Sequence, residues 1–228
     1  MWNLARRPKR HSYSSISTYL ECPASYAYTY LQGRKTLETA PMMRGTRLHK
    51  QAEDYVRDLT RVAPVPYELR RVGVLLHQLR EKGAKAEEVW LLDQHWNPTD
   101  NQDYARVKAI VDVHYINQDI LYVFDHKSGR QYPSHVDQLE LYSVIGLLKY
   151  PSAKRVESGA IYIDAGNTGS EGSMLREMLP HYIKRWDGYI GRMEADTDFQ
   201  PTPGNHCGRC DHSRFNGGPC TAAPAKSK

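Results

Sequence analysis

Long apolar runs are missing from this sequence. No stretch approaches the roughly 18 apolar residues that a membrane-spanning helix requires. The first 15 residues include several basic side chains, but no apolar segment follows them as it would in a signal peptide. We therefore expect an intracellular protein, located in the cytoplasm, with no membrane partner.

A large excess of charge of either sign is also missing. The chain has 31 lysines and arginines against 26 aspartates and glutamates, which gives a formal net charge of +5. An excess of this size favours a polyanionic partner only weakly. The length of 228 residues suits one sizeable domain whose core needs no disulfides. Function therefore has to be inferred from particular residues and their spacing.

Cysteine is rare, and the sequence contains only Cys22, Cys207, Cys210 and Cys220. In a reducing compartment we expect thiols or metal ligands rather than disulfides. Cys207 and Cys210 have the spacing of a metal knuckle, Cys220 follows a Gly-Gly-Pro turn, and Cys22 lies almost the whole chain away. Four cysteines fit a structural Zn²⁺ site, in which His206 or His212 could replace a thiolate.

Hydrophobic periodicity divides the chain into helices and strands. The last two predicted strands form a hairpin, because a short polar turn at 117–119 separates them. The order of elements predicts a mixed α/β fold in which helices flank a central sheet. The helical segments are 12–22, 27–31, 43–59, 67–81, 136–150 and 176–193, and the strands are 87–96, 104–116, 119–127 and 155–164.

The segment 123–129, VFDHKSG, places two opposite charges on one strand. Side chains alternate along a strand, so Asp125 and Lys127 share a face while the side chain of His126 points the other way. The predicted hairpin brings Asp112 of the preceding strand close to Asp125. Two carboxylates and a lysine are therefore expected to converge.

Two carboxylates and a lysine in one place can form a catalytic metal site or an ordinary salt bridge. Convergent carboxylates raise one another's pKa unless a cation lies between them, and hard oxygen ligands suit Mg²⁺ or Mn²⁺. A neighbouring lysine can position or activate the water that such a metal makes nucleophilic. The alternative for an isolated Asp-x-Lys pair is an ordinary salt bridge on a half-buried strand.

Further residues extend this pattern in both directions along the chain. Gly45-x-x-x-His49 lies on a predicted helix, Glu88 opens a strand, and Gln138-x-x-x-Tyr142 lies on the helix after the hairpin. Their order and spacing resemble the RecB-like and Cas4-like branch of the PD-(D/E)XK nuclease superfamily, which includes phage-encoded recombination exonucleases. The resemblance covers residues 13–220 and implies a restriction-endonuclease-like core within a single nuclease domain, residues 1–228.

The resemblance implies a role for each matched residue. His49, Asp112 and Asp125 correspond to metal ligands, and Lys127 corresponds to the catalytic lysine. Glu88 corresponds to a less regular acidic position of the family.

The helix after the hairpin and the residue between the two charges complete the expected site. Gln138 and Tyr142 correspond to a Gln-x-x-x-Tyr motif that contacts DNA or supports the active site, and their spacing puts both on one helical face. The backbone carbonyl of His126, rather than its side chain, is the expected contribution of that residue to the metal site.

The resemblance also bears on the four cysteines. Cys22, within Tyr-Leu-Glu-Cys-Pro, resembles the N-terminal cysteine of branch members that bind a [4Fe-4S] cluster through one early and three late cysteines. It therefore favours a cluster over structural Zn²⁺, although the last two cysteines are further apart here than in the commoner pattern. Either metal would join residues 12–31 to residues 196–220 and close a very long loop.

Basic and aromatic side chains near the N-terminus add capacity to bind DNA. Tyrosines can stack on unpaired bases, or they can simply pack in the protein. Phosphate contacts give affinity with little sequence preference. The basic residues are Arg6, Arg7, Lys9, Arg10, Arg34, Lys35, Arg44 and Arg47, and the tyrosines are Tyr13, Tyr19, Tyr26, Tyr28 and Tyr30.

Together these observations predict a metal-dependent DNA exonuclease. The resemblance implies resection of single- or double-stranded DNA ends in phage-type recombination or repair, in a bacterial host cell and with a single-strand annealing or recombination protein as partner. The alternatives are a Cas4-like nuclease that processes CRISPR spacers, an endonuclease, and a non-catalytic DNA-binding subunit that retains the fold.

Overall fold

The computed structural model describes residues 2–34, 38–58 and 64–222. The chain divides into two compact units, a terminal unit of residues 1–38 with 185–228 and a central unit of residues 39–184. That both belong to one nuclease domain stays a prediction. The helices are α1 (Tyr13–Glu21), α2 (Pro23–Tyr26), α3 (Ala40–Arg57), α4 (Gly73–Glu81), α5 (Ser134–Lys149) and α6 (Leu179–Ala195).

A five-stranded sheet forms the centre of the central unit. Its spatial order follows the sequence, and only β3 and β4 are parallel. The long connection between these two strands contains α5, as a parallel crossover requires. The strands are β1 (Lys85–Leu92), β2 (Val107–Asn117), β3 (Ile120–Lys127), β4 (Arg155–Tyr162) and β5 (Asn167–Leu175). The predicted mixed α/β fold, with helices flanking a central sheet, is confirmed.

The predicted hairpin of β2 and β3 is also confirmed. Asn117 pairs with Ile120, and Gln118 adopts a left-handed conformation with φ of 56° in the tight turn between them. β1 ends at Leu92, earlier than the sequence pattern suggests, because the carboxylate of Asp93 accepts hydrogen bonds from the backbone of His95 and Asn97 and closes a turn.

Other element boundaries agree closely with the sequence. Ser12 caps α1, and Pro23 begins α2, which a π-helical turn at Ala27–Leu31 extends. A 3₁₀ turn at Tyr67–Val72 leads into α4. Leu59, at the end of the helix predicted for 43–59, lies outside the described residues. No helix in the described ranges is long and apolar enough to span a membrane.

The strand β5 was not predicted from the sequence. Its segment, NTGSEGSML, is rich in glycine and small polar residues, which have low strand propensity. β5 lies at the edge of the sheet and pairs antiparallel with β4. Pairing with a buried neighbour therefore provides the stability that its composition lacks.

The two faces of the sheet bear different helices. An apolar cluster joins Leu48 and Ala52 of α3 to Val113 and Ile161 of the strands. On the other face, Leu139 of α5 packs with Ala160 and Tyr162 of β4. Side chains that alternate along β3 consequently point toward α3 or toward α5 in turn.

Close approach of α5 to the sheet depends on Gly146. A Cβ atom at this position would lie 2.6 Å from Leu121 Cδ2 and 3.1 Å from the ring of Trp90, both fully buried. We expect Gly146→Ala to lower the free energy of unfolding by about 1–3 kcal/mol, because the methyl group overpacks the core. Thermal and denaturant unfolding measure this, and Gly191→Ala in α6, where the Cβ enters open space, is the control. A Gly146→Ala melting temperature equal to that of wild type would contradict the expectation.

Candidate active site

Asp112 and Asp125 lie opposite each other on β2 and β3. The register pairs Val113 with Phe124, so the next positions along the ladder are these two aspartates. Both are buried, with 7% and 2% of their surface exposed. Burial raises the pKa of each carboxyl group, and the charge of Asp112 raises that of Asp125 further. The predicted convergence of the two carboxylates is present, and their electrostatics call for a cation.

His49 approaches these carboxylates from α3. Its Nδ1 lies 3.3 Å from Oδ2 of Asp112. The helix is held close to the end of β3 at Gly45, where a Cβ atom would lie 3.1 Å from Ser128 Oγ. The apolar residues that fix the face of α3 are Leu48, Ala52, Tyr55 and Val56. The Gly-x-x-x-His pattern therefore combines a close packing position with a side chain that faces the site one turn later.

Glu87, and not Glu88, completes this group. One potential ligand atom from each of His49, Glu87 and Asp112 lies within 4.8 Å of the others. Glu87 has a left-handed backbone conformation with φ of 51°, which is rare for a residue with a side chain inside a strand. Burial, followed by the charge of Glu53, raises the pKa of its carboxyl group.

The structure places Glu88 elsewhere, which corrects the assignment made from sequence. Its Oε2 accepts hydrogen bonds from Trp90 Nε1 at 2.5 Å and Tyr150 Oη at 2.7 Å, and lies 3.1 Å from His114 Nε2. Adjacent residues of a strand point to opposite faces, so only one of two consecutive glutamates can reach the carboxylate cluster. The sequence holds both glutamates but does not indicate which one faces the site.

Lys127 projects beside Asp125, as strand alternation predicts. Its Nζ lies 2.5 Å from Oδ2 of Asp125 and donates a hydrogen bond to Gln138 Oε1 at 2.9 Å. The amide nitrogen of Gln138 donates to Oδ1 of Asp125 at 2.8 Å and to Tyr142 Oη at 2.9 Å. Gln138 therefore fixes the carboxylate and the ammonium relative to each other. These contacts agree with the second of the two roles expected for the Gln-x-x-x-Tyr motif, and the role itself stays a prediction.

His126 lies closer to the cluster than strand alternation alone suggests. Its backbone N–H donates to Oδ2 of Asp112 at 2.6 Å. Its ring Nδ1 is 3.7 Å from the same oxygen, and its ring meets that of His49 edge-on at 5.9 Å. The expectation that this side chain points away from the site therefore needs correction. Burial lowers the pKa of His126 to about 3, so the ring is neutral at physiological pH.

The donor set of this cluster fits a divalent cation. It combines carboxylate oxygens from Asp112 and Glu87 with one imidazole nitrogen from His49, and Asp125 lies opposite Asp112 on the neighbouring strand. Carboxylate ligands suit Mg²⁺ and Mn²⁺, and an imidazole nitrogen is also compatible with Mn²⁺. A cation here would offset the repulsion that raises the pKa of the aspartates.

The four cysteines come together within the terminal unit. All of them line one pocket, together with His206 and His212. The backbone N–H of Thr202 donates to Cys22 Sγ, and that of Gly204 donates to Cys207 Sγ, each at 3.5 Å. Such bonds stabilise negatively charged sulfur ligands. Nε2 of His212 is instead bonded to Thr29 Oγ1 at 2.9 Å.

A tight turn positions the last cysteine of this set. The backbone N–H of Cys220 donates to the carbonyl oxygen of His212 at 2.8 Å. A Cβ atom at Gly218 would lie 2.2 Å from the carbonyl carbon of His212. The chain between Cys210 and Cys220 therefore folds back in a turn that only glycine permits, which compensates for the wide spacing of the two cysteines.

Several of the tyrosines and arginines considered for DNA binding instead make contacts within the protein. Tyr26 stacks on Phe199 with ring centroids 5.9 Å apart, and Tyr19 Oη donates to Asp196 at 2.9 Å. Arg44 forms a bidentate pair with Asp164. For these tyrosines the packing alternative is confirmed. Lys35 lies outside the described residues.

Comparison with known families identifies the fold and its class of chemistry. The model of the PD-(D/E)XK nuclease superfamily matches residues 10–215. The chain belongs to this superfamily. A comparison with curated proteins finds no match in sequence.

The comparison with solved structures finds similar chains at low sequence identity. A candidate exonuclease from Eubacterium rectale is 11% identical, with a TM-score of 0.55 over 96% of this chain and 91% of that chain. The alkaline exonuclease LHK-Exo from Laribacter hongkongensis is 14% identical, with a TM-score of 0.43 over 85% of this chain and 92% of that chain. At these identities the first structure supports the fold alone.

Proposed function

We propose that this nuclease is a metal-dependent exonuclease that hydrolyses phosphodiester bonds in DNA. The observation that carries the proposal is that the buried pair Asp112 and Asp125 has Lys127 on one side and the partly buried His49 and Glu87 on the other. Isolated salt bridges do not explain a set in which two buried carboxylates face each other on neighbouring strands.

The residues of the cluster have distinct proposed roles. His49, Glu87, Asp112 and Asp125 would hold a divalent cation, and the backbone carbonyl of His126 would be a further oxygen ligand. Mg²⁺ or Mn²⁺ bound there would lower the pKa of a water ligand and stabilise charge on the scissile phosphate. Lys127 orients the attacking water and offsets charge that develops on the phosphate oxygens.

Gln138 and Tyr142 hold Asp125 and Lys127 in place relative to each other. Gln138 bonds both Asp125 and Lys127, so the two groups keep a fixed separation when substrate enters. The hydroxyl of Tyr142 accepts a hydrogen bond from the amide of Gln138 and so fixes which way the amide is turned. This preorganisation lowers the cost of aligning the reacting groups.

Action on DNA ends separates this proposal from an endonuclease and from a non-catalytic subunit. The test is incubation of linear and closed circular plasmid with wild-type protein in Mg²⁺, in Mn²⁺ and in EDTA. We expect loss of the linear form only, and only with metal. Cleavage of the closed circle would favour an endonuclease, and DNA binding without cleavage would favour a non-catalytic subunit.

We further propose that the four cysteines bind a [4Fe-4S] cluster, with structural Zn²⁺ as the alternative. Four cysteines around one pocket, two of them accepting backbone N–H bonds, form a donor set that suits either metal. The cluster is the choice favoured by the one-early, three-late order of the cysteines. Its role is structural, because it ties segments near both ends of the chain together.

Substitution within the cysteine pocket tests this second proposal. We expect Cys22→Ser to lose the brown colour and iron content of anaerobically purified protein and to lower its melting temperature. Gly218→Ala should act in the same direction, because its methyl group collides with the His212 backbone, whereas Gly208→Ala enters open space and is the control. Colourless wild-type protein with stoichiometric zinc would instead establish the zinc site.

The biological setting that we propose is resection of DNA ends in recombination or repair, as in the RecB-like and Cas4-like branch, with a single-strand annealing or recombination protein as partner. Contacts to phosphates would give little sequence preference and strong dependence on salt. Co-purification with an annealing protein would support this setting, and co-purification with CRISPR proteins would favour spacer processing.

A further inference from the structure

His135 lies beside the proposed active site without taking part in the contacts described above. It precedes Gln138 by three residues on α5, so the two side chains lie on the same side of the helix. On the sheet beneath them, Lys127 of β3 is the register partner of Tyr162 of β4. Nδ1 of His135 lies 2.8 Å from Tyr162 Oη. His135 and Tyr162 thus flank Gln138 and Lys127 as a second, neighbouring pair.

Tyr162 continues a chain of hydrogen bonds that begins at a side-chain amide. Gln131 Nε2 donates to Ser170 Oγ at 3.3 Å, and Ser170 Oγ lies 2.8 Å from Tyr162 Oη. Tyr162 and Ser170 are both buried. An unused hydroxyl hydrogen in such a place costs free energy, so each hydroxyl is expected to donate one bond.

Only one direction of donation uses every hydrogen of this chain. Ser170 accepts from the amide and donates to Tyr162, and Tyr162 donates to Nδ1 of His135. The imidazole is therefore fixed as the tautomer that has its hydrogen on Nε2. Nε2 has no hydrogen-bond partner within residues 2–34, 38–58 and 64–222, and the side chain is only half-buried.

The backbone of β5 is shaped to maintain this chain. Ser170 has a left-handed conformation with φ of 51°, an unfavourable state for a serine in a strand. A Cβ atom at the preceding Gly169 would lie 3.1 Å from the ring of Tyr162. The strained serine and the bare glycine together let the tyrosine ring and the serine hydroxyl meet.

The charge state of His135 agrees with a role as a neutral donor. Burial lowers the pKa of its imidazole, and the positive charge of Lys127 lowers it further, although Asp125 acts in the opposite direction. The same effects place both active-site charges within electrostatic reach of His135. A neutral imidazole of fixed tautomer presents one directed N–H.

We propose that the Nε2–H of His135 donates a hydrogen bond to a phosphodiester oxygen of the DNA strand in the active site. Tyr162 and Ser170 are positioning residues, because they act on the substrate only through His135. This inference rests on the proposed nuclease function and adds a substrate contact to it. A phosphodiester matches the site because it offers anionic oxygen acceptors beside Lys127.

The test compares variants in steady-state cleavage of linear DNA. We expect His135→Ala to lower kcat/KM about tenfold, because a hydrogen bond to a charged oxygen is lost. His135→Gln should recover most of this loss, since its amide nitrogen can donate in place of Nε2. Tyr162→Phe should lower kcat/KM by itself but add nothing in the His135→Ala background, because it acts through the histidine. His95→Ala, on an exposed turn of the same unit, is the control.

Each outcome supports or overturns the proposed contact between His135 and the phosphodiester. Recovery by glutamine with an unchanged melting temperature supports the contact. Wild-type activity in His135→Ala, or an equal loss in His135→Gln at unchanged melting temperature, overturns the contact and leaves the nuclease function standing. If wild-type protein itself cleaves no DNA, the proposed function fails, and this inference fails with it.

Discussion

Replacing Lys127 by alanine is expected to lower kcat/KM for DNA cleavage by about two to four orders of magnitude. The ammonium group lies 2.5 Å from Oδ2 of Asp125 and is held by Gln138, so it lies where we propose that a water and a scissile phosphate meet the two carboxylates. Its loss removes a positioned donor from a buried site, where electrostatic contacts count most. Steady-state cleavage of linear DNA measures the effect.

Three comparisons separate catalysis by Lys127 from its effect on folding. Removing one partner of a buried ion pair is destabilising, so the melting temperature is recorded for each variant. Lys127→Met keeps much of the side-chain volume and should be as inactive as the alanine variant. Lys154→Ala removes an exposed ammonium that pairs with Asp119 and should keep wild-type activity. A Lys127→Ala protein with half of the wild-type rate would contradict the assignment.

Exchange of Glu87 for glutamine is expected to weaken binding of Mn²⁺ by about ten- to hundredfold and to lower cleavage in proportion. Its carboxylate is one of three ligand groups that lie within 4.8 Å of one another, and an amide oxygen carries no charge to offer the cation. Calorimetric titration of metal-free protein with Mn²⁺ measures the affinity directly, without DNA.

The adjacent Glu88 provides the matched control. Glu88→Gln should bind Mn²⁺ as wild type does but melt at a lower temperature, because its carboxylate accepts hydrogen bonds from Trp90 and Tyr150. Weakened metal binding in Glu88→Gln, together with unchanged binding in Glu87→Gln, would reverse the correction made from the structure.

The pair of glutamates also shows where sequence reasoning reaches its limit. Strand period and hairpin register are local properties, so the convergence of Asp112, Asp125 and Lys127 followed from the sequence. Which of two consecutive glutamates faces the site depends on a left-handed residue within β1, and no local pattern signals that conformation. The surroundings of the His126 ring are also not a local property, because the ring contacts His49 of α3.

The sequence does not indicate β5 or the hydrogen bonds that link Ser170, Tyr162 and His135, for a different reason. Glycine and serine in this segment have low strand propensity, and only pairing with β4 makes them a strand. Ser170 and Tyr162 are eight residues apart in sequence, and the contact of Tyr162 with His135 requires the crossover through α5. The helical periodicity of α5, by contrast, is a local property, and the four-residue spacing of Gln138 and Tyr142 predicts the shared face on which they meet.

We propose above all that the Asp112, Asp125 and Lys127 cluster hydrolyses DNA with a divalent metal. The most direct measurement is release of nucleotides from an end-labelled linear oligonucleotide by metal-stripped protein, as Mg²⁺ or Mn²⁺ is added back, beside Asp125→Asn. We expect no release without metal, saturable release with it, and loss of release in the variant. Release by the metal-free protein, or full activity of Asp125→Asn, would contradict this proposal.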